Sequence, residues 1–288
     1  MEMALSSLLK EYNLQTPPQW EHALREILQH LTLLGLWRSK FFERAAFYGG
    51  TALRMLYGLP RFSEDLDFTL CQADPGFDFR PFIKGVRDEL AAFGFTVAVE
   101  PIHKKGESPI DSAFVKADTV ANLLVVDAPE HIRRGLHREQ RIRIKFEVDT
   151  DPPAGARYEI RSVLVPVLFQ VKTVSEPCLF AGKLHALLFR QWKSRVKGRD
   201  FFDFVWFCGR NTVYDLGYFR HVAARAGFIG HPDTVTHEDI RNLLVEKFSS
   251  ADIGKVVEDV RPFVRDAEPL LLWSRNFFIE LAGRIQAR

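Results

Sequence analysis

The stretch from Phe47 to Leu70, FYGGTALRMLYGLPRFSEDLDFTL, holds the residue types and spacings best suited to chemistry. Asp65 and Asp67 are two apart in a segment that turns apolar after them, so on a strand both carboxylates project from one face. Carboxylates that close repel unless a cation sits between them, and hard oxygen ligands select Mg2+ or Mn2+. Gly49 and Gly50 separate a short apolar run from a helical pattern. Glycines at that point let backbone N–H groups approach an anion, and a helix N-terminus adds a favourable dipole. Thr51 adds a hydroxyl at the same place. A phosphate-holding glycine turn followed by paired aspartates describes a metal-dependent site for an NTP. The metal ions would orient the triphosphate, activate an attacking hydroxyl and stabilise the leaving pyrophosphate. A neighbouring strand would supply a third carboxylate. Glu147 and Asp149, on the polar face of the alternating segment 141–149, are both candidates.

Later residues extend the set. Lys183, Leu187 and Arg190 fall near one helix face. Lys183 suits a point charge on the triphosphate, with Arg190 assisting. Asp200 and Asp203 lie one turn apart on the next helix, where surface pairing with Lys197 or Arg199 is the plain alternative. Ser63 fits a turn or cap as well as it fits a hydroxyl on a nucleotide phosphate.

Four ordered blocks carry a resemblance. They are GGTAL (49–53) through RFSEDLDF (61–68), IKFEVD (144–149), KLHAL (183–187) with Arg190, and KGRDFFDF (197–204). In these the chain resembles the AbiEii/AbiGii nucleotidyltransferase toxins of abortive-infection and toxin–antitoxin systems, MenT-like toxins among them. The resemblance implies an α+β fold: a minimal DNA polymerase β-like nucleotidyltransferase domain followed by a helical domain. It implies a metal-dependent transferase of the EC 2.7.7 type, with Mg2+ or Mn2+ held by Asp65, Asp67 and Glu147. Alignment to the K-x-[DE] pattern favours Glu147, and Asp149 stays a candidate. It assigns Gly49, Gly50, Thr51, Arg61, Ser63, Lys183, Arg190 and Asp200 to the nucleotide, with a pairing role for Asp200 towards a nearby cation. Asp203 would hold Lys183 and the nucleotide in place. In some relatives the serine matching Ser63 is phosphorylated as an off-switch. The implied acceptor is the 3′ end of tRNA, whose extension blocks aminoacylation, translation and growth, with a cognate antitoxin as partner.

Two rivals are weighed against this. DLDFTL also matches the DxDxT nucleophile loop of haloacid dehalogenase-type phosphatases. That chemistry puts its aspartates after a buried strand, whereas here a turn (Gly58-Leu59-Pro60) precedes them and the apolar residues follow. The other rival is a catalytically inactive fold that only binds RNA or an antitoxin.

Elements must position these groups. Thr16-Pro17-Pro18-Gln19 starts a helix by capping-box spacing, and Trp20 to about Leu36 carries an apolar stripe of Leu24, Ile27, Leu28, Leu31 and Leu34. Residues 45–48 and 65–71 read as strands, 51–57 and 82–93 as helices. The stretches 95–102, 114–116, 123–126 and 141–149 read as strands, with short extended segments to about 173. From 176 the pattern is helical: 176–192, 198–210, 215–226, 237–248, 252–266 and 269–286. The expected domains are 1–174 and 175–288. The Phe-rich run 201–207 fits a buried helix face better than a base-stacking surface.

With 288 residues, 47% hydrophobic and 26% charged, the chain is no disordered, collagen-like or coiled-coil sequence. Three scattered cysteines form neither a disulfide scaffold nor a zinc knuckle. No basic segment followed by an apolar run opens the chain, and no run of about 18 apolar residues spans a membrane, so a cytoplasmic protein without membrane contact is expected. The net charge of +2 hides its distribution: residues 131–145 carry +5 and 183–199 carry +6, leaving −9 on the rest. A basic rim beside a metal–triphosphate site suits a polyanionic acceptor, RNA over a small-molecule or protein acceptor, and no DNA partner is expected.

Overall fold

The structure, a computed structural model, describes residues 7–12, 14–95, 97–102, 110–118, 141–190, 197–229 and 231–288. The expected strand 123–126 lies outside these residues. Two compact units emerge. The first comprises Met1–Leu56, Glu64–Pro152 and Ile160–Thr173, and the second Tyr57–Ser63, Pro153–Glu159 and Val174–Arg288.

In the first unit a helical stretch at 7–10 precedes helix α1 (Pro17–Arg38). Gln19 reaches back to accept the Thr16 N–H (3.0 Å), which closes the capping box read in the sequence. The helix buries more than a stripe. Every residue from 27 to 36 is buried, including Gln29, His30 and Thr32. Of these, Gln29 finds an acceptor, whereas the His30 Nδ1 and the Thr32 hydroxyl are buried without a hydrogen-bond partner among the described residues.

Strand β1 (Ala45–Tyr48) feeds helix α2 (Gly49–Tyr57), and β2 (Leu66–Leu70) returns antiparallel to β1. Helix α3 (Arg80–Ala92) leads to β3 (Val97–Ile102), β4 (Ile110–Asp118) and β5 (Arg141–Asp149). Strand β4 is longer than the 114–116 core legible in the sequence. β5 has the expected bounds and faces: Ile142, Ile144, Phe146 and Val148 are buried, and Lys145, Glu147 and Asp149 are half-buried. With β6 (Tyr158–Val163) and β7 (Phe169–Val174) the sheet has seven strands in the order β3-β4-β5-β2-β1-β7-β6. β2 runs parallel to β5, and β1 parallel to β7. Phe41, Phe47, Phe68, Phe79 and Phe146 pack ring against ring on the apolar face, Phe41 meeting Phe68 edge-on at 5.0 Å.

The second unit is mainly helical: α4 (Glu176–Phe189), α5 (Gly198–Gly209), α6 (Leu216–Arg225), α7 (His237–Ser250), α8 (Ile253–Val260) and α9 (Arg275–Ala282). Phe201, Phe204 and Phe207 are buried, and Phe180 stacks on Phe207 at 4.4 Å, so the Phe-rich run is core. The expected helix 269–286 does not form in one piece. Ser274 accepts the Phe277 N–H and starts α9 afresh. Residues Gln286–Ala287 then form a strand, β9, parallel to β8 (Val213–Tyr214). Helical periodicity continues across this break, which is why the sequence shows no gap.

Candidate active site

Register places the acidic residues of the first unit. Asp67 on β2 sits beside Glu147 on β5, and Thr69 beside Asp149. Lateral neighbours on paired strands point to the same face. Asp67 and Glu147 therefore share the polar face, while their neighbours Phe68 and Phe146 enter the core. Asp65 is exposed and lies one residue before β2 begins. Glu147 is ion-paired with Lys145 on its own strand. Asp149 accepts the Asp151 N–H (3.1 Å) and so caps the turn after β5. The register thus puts Glu147, and not Asp149, next to Asp67.

The glycine turn touches this face. Gly49 adopts φ 84°, a left-handed conformation that favours glycine. A Cβ added there would collide with the Asp67 carboxylate, so the backbone at Gly49 lies against that group. Gly50 is buried in the first turn of α2. Thr51 departs from its expected role. It is wholly buried, and its hydroxyl donates to the main-chain carbonyl of Asp65. Its donor is spent on the chain and not on a phosphate. One residue of this unit carried no sequence signal for the site: Gln29, buried in α1, donates through Nε2 to the Glu64 carbonyl (3.0 Å).

The donor chemistry of Asp65 and Asp67 fits a hard divalent cation. Among the described residues no three His, Cys, Asp or Glu side chains gather as a metal cage, so Asp65, Asp67 and Glu147 do not converge as a ready set of three. Two carboxylates still suit Mg2+, which takes one or two from a protein and its other ligands from substrate phosphates and water.

The second unit carries a cluster of its own, built on Asp203 of α5, which has no exposed surface. Arg61 grips it with both edges of the guanidinium, Nε to Oδ1 at 2.6 Å and Nη2 to Oδ2 at 2.7 Å. Lys183 of α4 approaches Oδ2 at 2.7 Å. Burial pushes the Asp203 carboxyl up, but the charges and hydrogen bonds of Arg61 and Lys183 outweigh it and hold the group below the ordinary carboxylate range. Arg61 is also fixed through its backbone. It bridges to Val264, and the Phe62 N–H donates to the Phe263 carbonyl at 2.7 Å.

This corrects two assignments. The Arg61 guanidinium is buried and engaged by Asp203, so it is not a nucleotide ligand. Asp203 reaches no surface, so it acts on Lys183 and touches no nucleotide. Lys183 keeps 16% of its side chain exposed. Arg190, just past α4 and half exposed, lies 4.0 Å from the nearly buried Asp200. Lys197 is a further cation of this cluster, read in the sequence as an alternative surface partner of Asp200 or Asp203. Burial pushes its ammonium down to about 8, Arg190, Arg199 and Lys183 push the same way, and Asp200 opposes them. Ser63 is half-buried beside the anchored Arg61-Phe62 segment. Arg133, Arg134, Arg138, Lys193 and Arg195, five cations of the two basic runs, lie outside the described residues.

An α/β sheet whose strand–Gly-Gly–helix turn lies against a D-x-D strand, with a glutamate alongside, is the layout of a nucleotidyltransferase. The family comparison agrees. The model described as "Nucleotidyl transferase AbiEii toxin, Type IV TA system" matches residues 31–278, and the chain belongs to that family. Two solved structures are similar. One is a candidate nucleotidyltransferase from H. pylori, 18% identical over 91% of each chain with TM-score 0.49. The other is JHP933 from Helicobacter pylori, 16% identical over 90% of this chain and 87% of that one, with TM-score 0.47. No curated protein matches.

Proposed function

We propose that the protein transfers a nucleoside monophosphate from an NTP to a hydroxyl at the 3′ end of tRNA. The observation that supports the transfer is the pairing of Asp67 with Glu147 across β2 and β5, with the Gly49 backbone laid against the Asp67 carboxylate; the tRNA acceptor rests on the family resemblance alone. Asp65 and Asp67 hold Mg2+ or Mn2+, and Glu147 is the third carboxylate of the site. When bound, the ion neutralises triphosphate charge and the charge that develops on the leaving pyrophosphate. Gly49 and Gly50 present main-chain N–H groups to the phosphates; the assignment of Lys183, Ser63 and Arg190 to the nucleotide rests on the family resemblance. The acceptor hydroxyl attacks the α-phosphate, the bond to the bridging oxygen breaks, and pyrophosphate leaves. The transfer takes place in the cytoplasm, where NTP and tRNA meet. The antitoxin that the family implies restrains it.

The phosphatase alternative finds no support in β2, which begins at Leu66, so Asp65 precedes the strand instead of following it. The test offers purified protein each α-labelled NTP with Mg2+ and total tRNA. Label on tRNA that disappears in Asp65→Ala is the expected result. No transfer with any NTP, or equal transfer by the variant, overturns it. Inorganic phosphate released from monoesters would restore the phosphatase reading. tRNA retention that salt abolishes, without modification, would indicate a binding module.

A further inference from the structure

We infer that Gln29 and Thr51 are positioning residues for Asp65, an inference that rests on Asp65 being a metal-holding carboxylate as proposed above. Asp65 lies in an irregular segment, and β2 joins its neighbours only from Leu66. The strand ladder therefore does not fix Asp65, and its exposed side chain is not held by packing in the core. Two side-chain donors hold the backbone on either side of it. Gln29 of α1 donates to the Glu64 carbonyl at 3.0 Å, and Thr51 of α2 donates to the Asp65 carbonyl. Those carbonyls belong to the two peptide groups that flank the Asp65 Cα. Holding both planes fixes φ and ψ of Asp65, and with them the direction in which its carboxylate leaves the chain.

Both donors are buried, Gln29 at 1% and Thr51 at 0% exposure, so each would be costly to leave without an acceptor. They come from different helices of one unit, so no single helix sets the position. The ion pair of Arg25 with Glu64 (3.4 Å) lies nearby, but Glu64 is 42% exposed there and the pair adds little. A conserved-shape change at either donor removes the hydrogen bond while keeping the volume.

The test compares Thr51→Val, Thr51→Ser and Gln29→Met with wild type. It measures the Mn2+ affinity of each protein with a non-hydrolysable α,β-methylene NTP, the metal midpoint and NTP KM for transfer, and the melting temperature. Removing a group that orients a metal ligand costs about 10–100-fold in metal affinity or activity. Thr51→Val and Gln29→Met should weaken Mn2+ binding by about tenfold on that scale and lower kcat, with NTP KM little changed. Thr51→Ser, which keeps the donor, should return towards wild type. Folded Thr51→Val and Gln29→Met proteins with wild-type Mn2+ affinity overturn the inference. If Thr51→Val does not fold, Gln29→Met decides alone. A wild-type protein that transfers nothing fails the reading above, and the Mn2+ titration still decides this one. A wild type that binds no Mn2+ overturns both.

Discussion

Arg61 is held by a carboxylate far along the chain. Its guanidinium and the Lys183 ammonium share one carboxylate that is shut off from water. A buried ion pair gains little over an apolar replacement, yet removing one partner alone is costly because the other charge stays behind. Arg61→Met should therefore cost about 3–5 kcal/mol of stability in the second unit, read by urea unfolding. It should also leave Asp203 to Lys183 alone, drawing the ammonium inward. Unchanged unfolding in Arg61→Met would show that the pair is not structural. In the sequence Arg61 stands beside Ser63 and Asp65 and reads as part of the phosphate site. Its partner is 142 residues away, a distance over which spacing carries no information.

Helix α1 and strand β5 mark the limits of periodic reading. β5 alternates strictly because one face is core and the other polar, so both its bounds and its faces were legible. The stripe on α1 was legible too, but the burial of its remaining face was not, and that face holds Gln29 and His30. A glutamine in a helix carries no mark of the carbonyl it will reach. The C-terminal break at Ser274 escaped for a related reason: apolar residues on both sides keep a helical rhythm while the chain changes direction. His30 gives this helix a pH dependence. Burial lowers its imidazole to about 4, with Glu26 opposing and Arg54 adding to the shift. The unfolded chain, titrating near 6.5, takes up a proton that the folded helix refuses. Stability contributed by His30 is thus full above about pH 6.5 and falls by about 1.4 kcal/mol per pH unit down to pH 4. Denaturation of wild type and His30→Leu across that window should diverge in slope. Parallel curves would contradict the assignment.

At the scale of the whole molecule, composition gave a near-neutral total, and the structure shows part of its cancellation in detail. Lys145 answers Glu147, and Lys183 answers Asp203. Among the described residues no helix is long and apolar enough to cross a membrane. Nothing in composition marks Tyr57–Ser63 as a piece of the second unit, because the mark is Arg61 and its partner far down the chain. That discontinuity has a consequence during synthesis. Arg61 leaves the ribosome 142 residues before Asp203, which at about 5–20 residues per second is a delay on the order of ten seconds. A chain stopped at residue 200 should expose segment 57–63 to protease, while the full chain protects it. Protection of that segment in the shortened chain would show that other contacts suffice. Arg61 therefore waits for Asp203, so synthesis must pass residue 203 before the second unit can finish folding. A prematurely ended product leaves this anchor unmade.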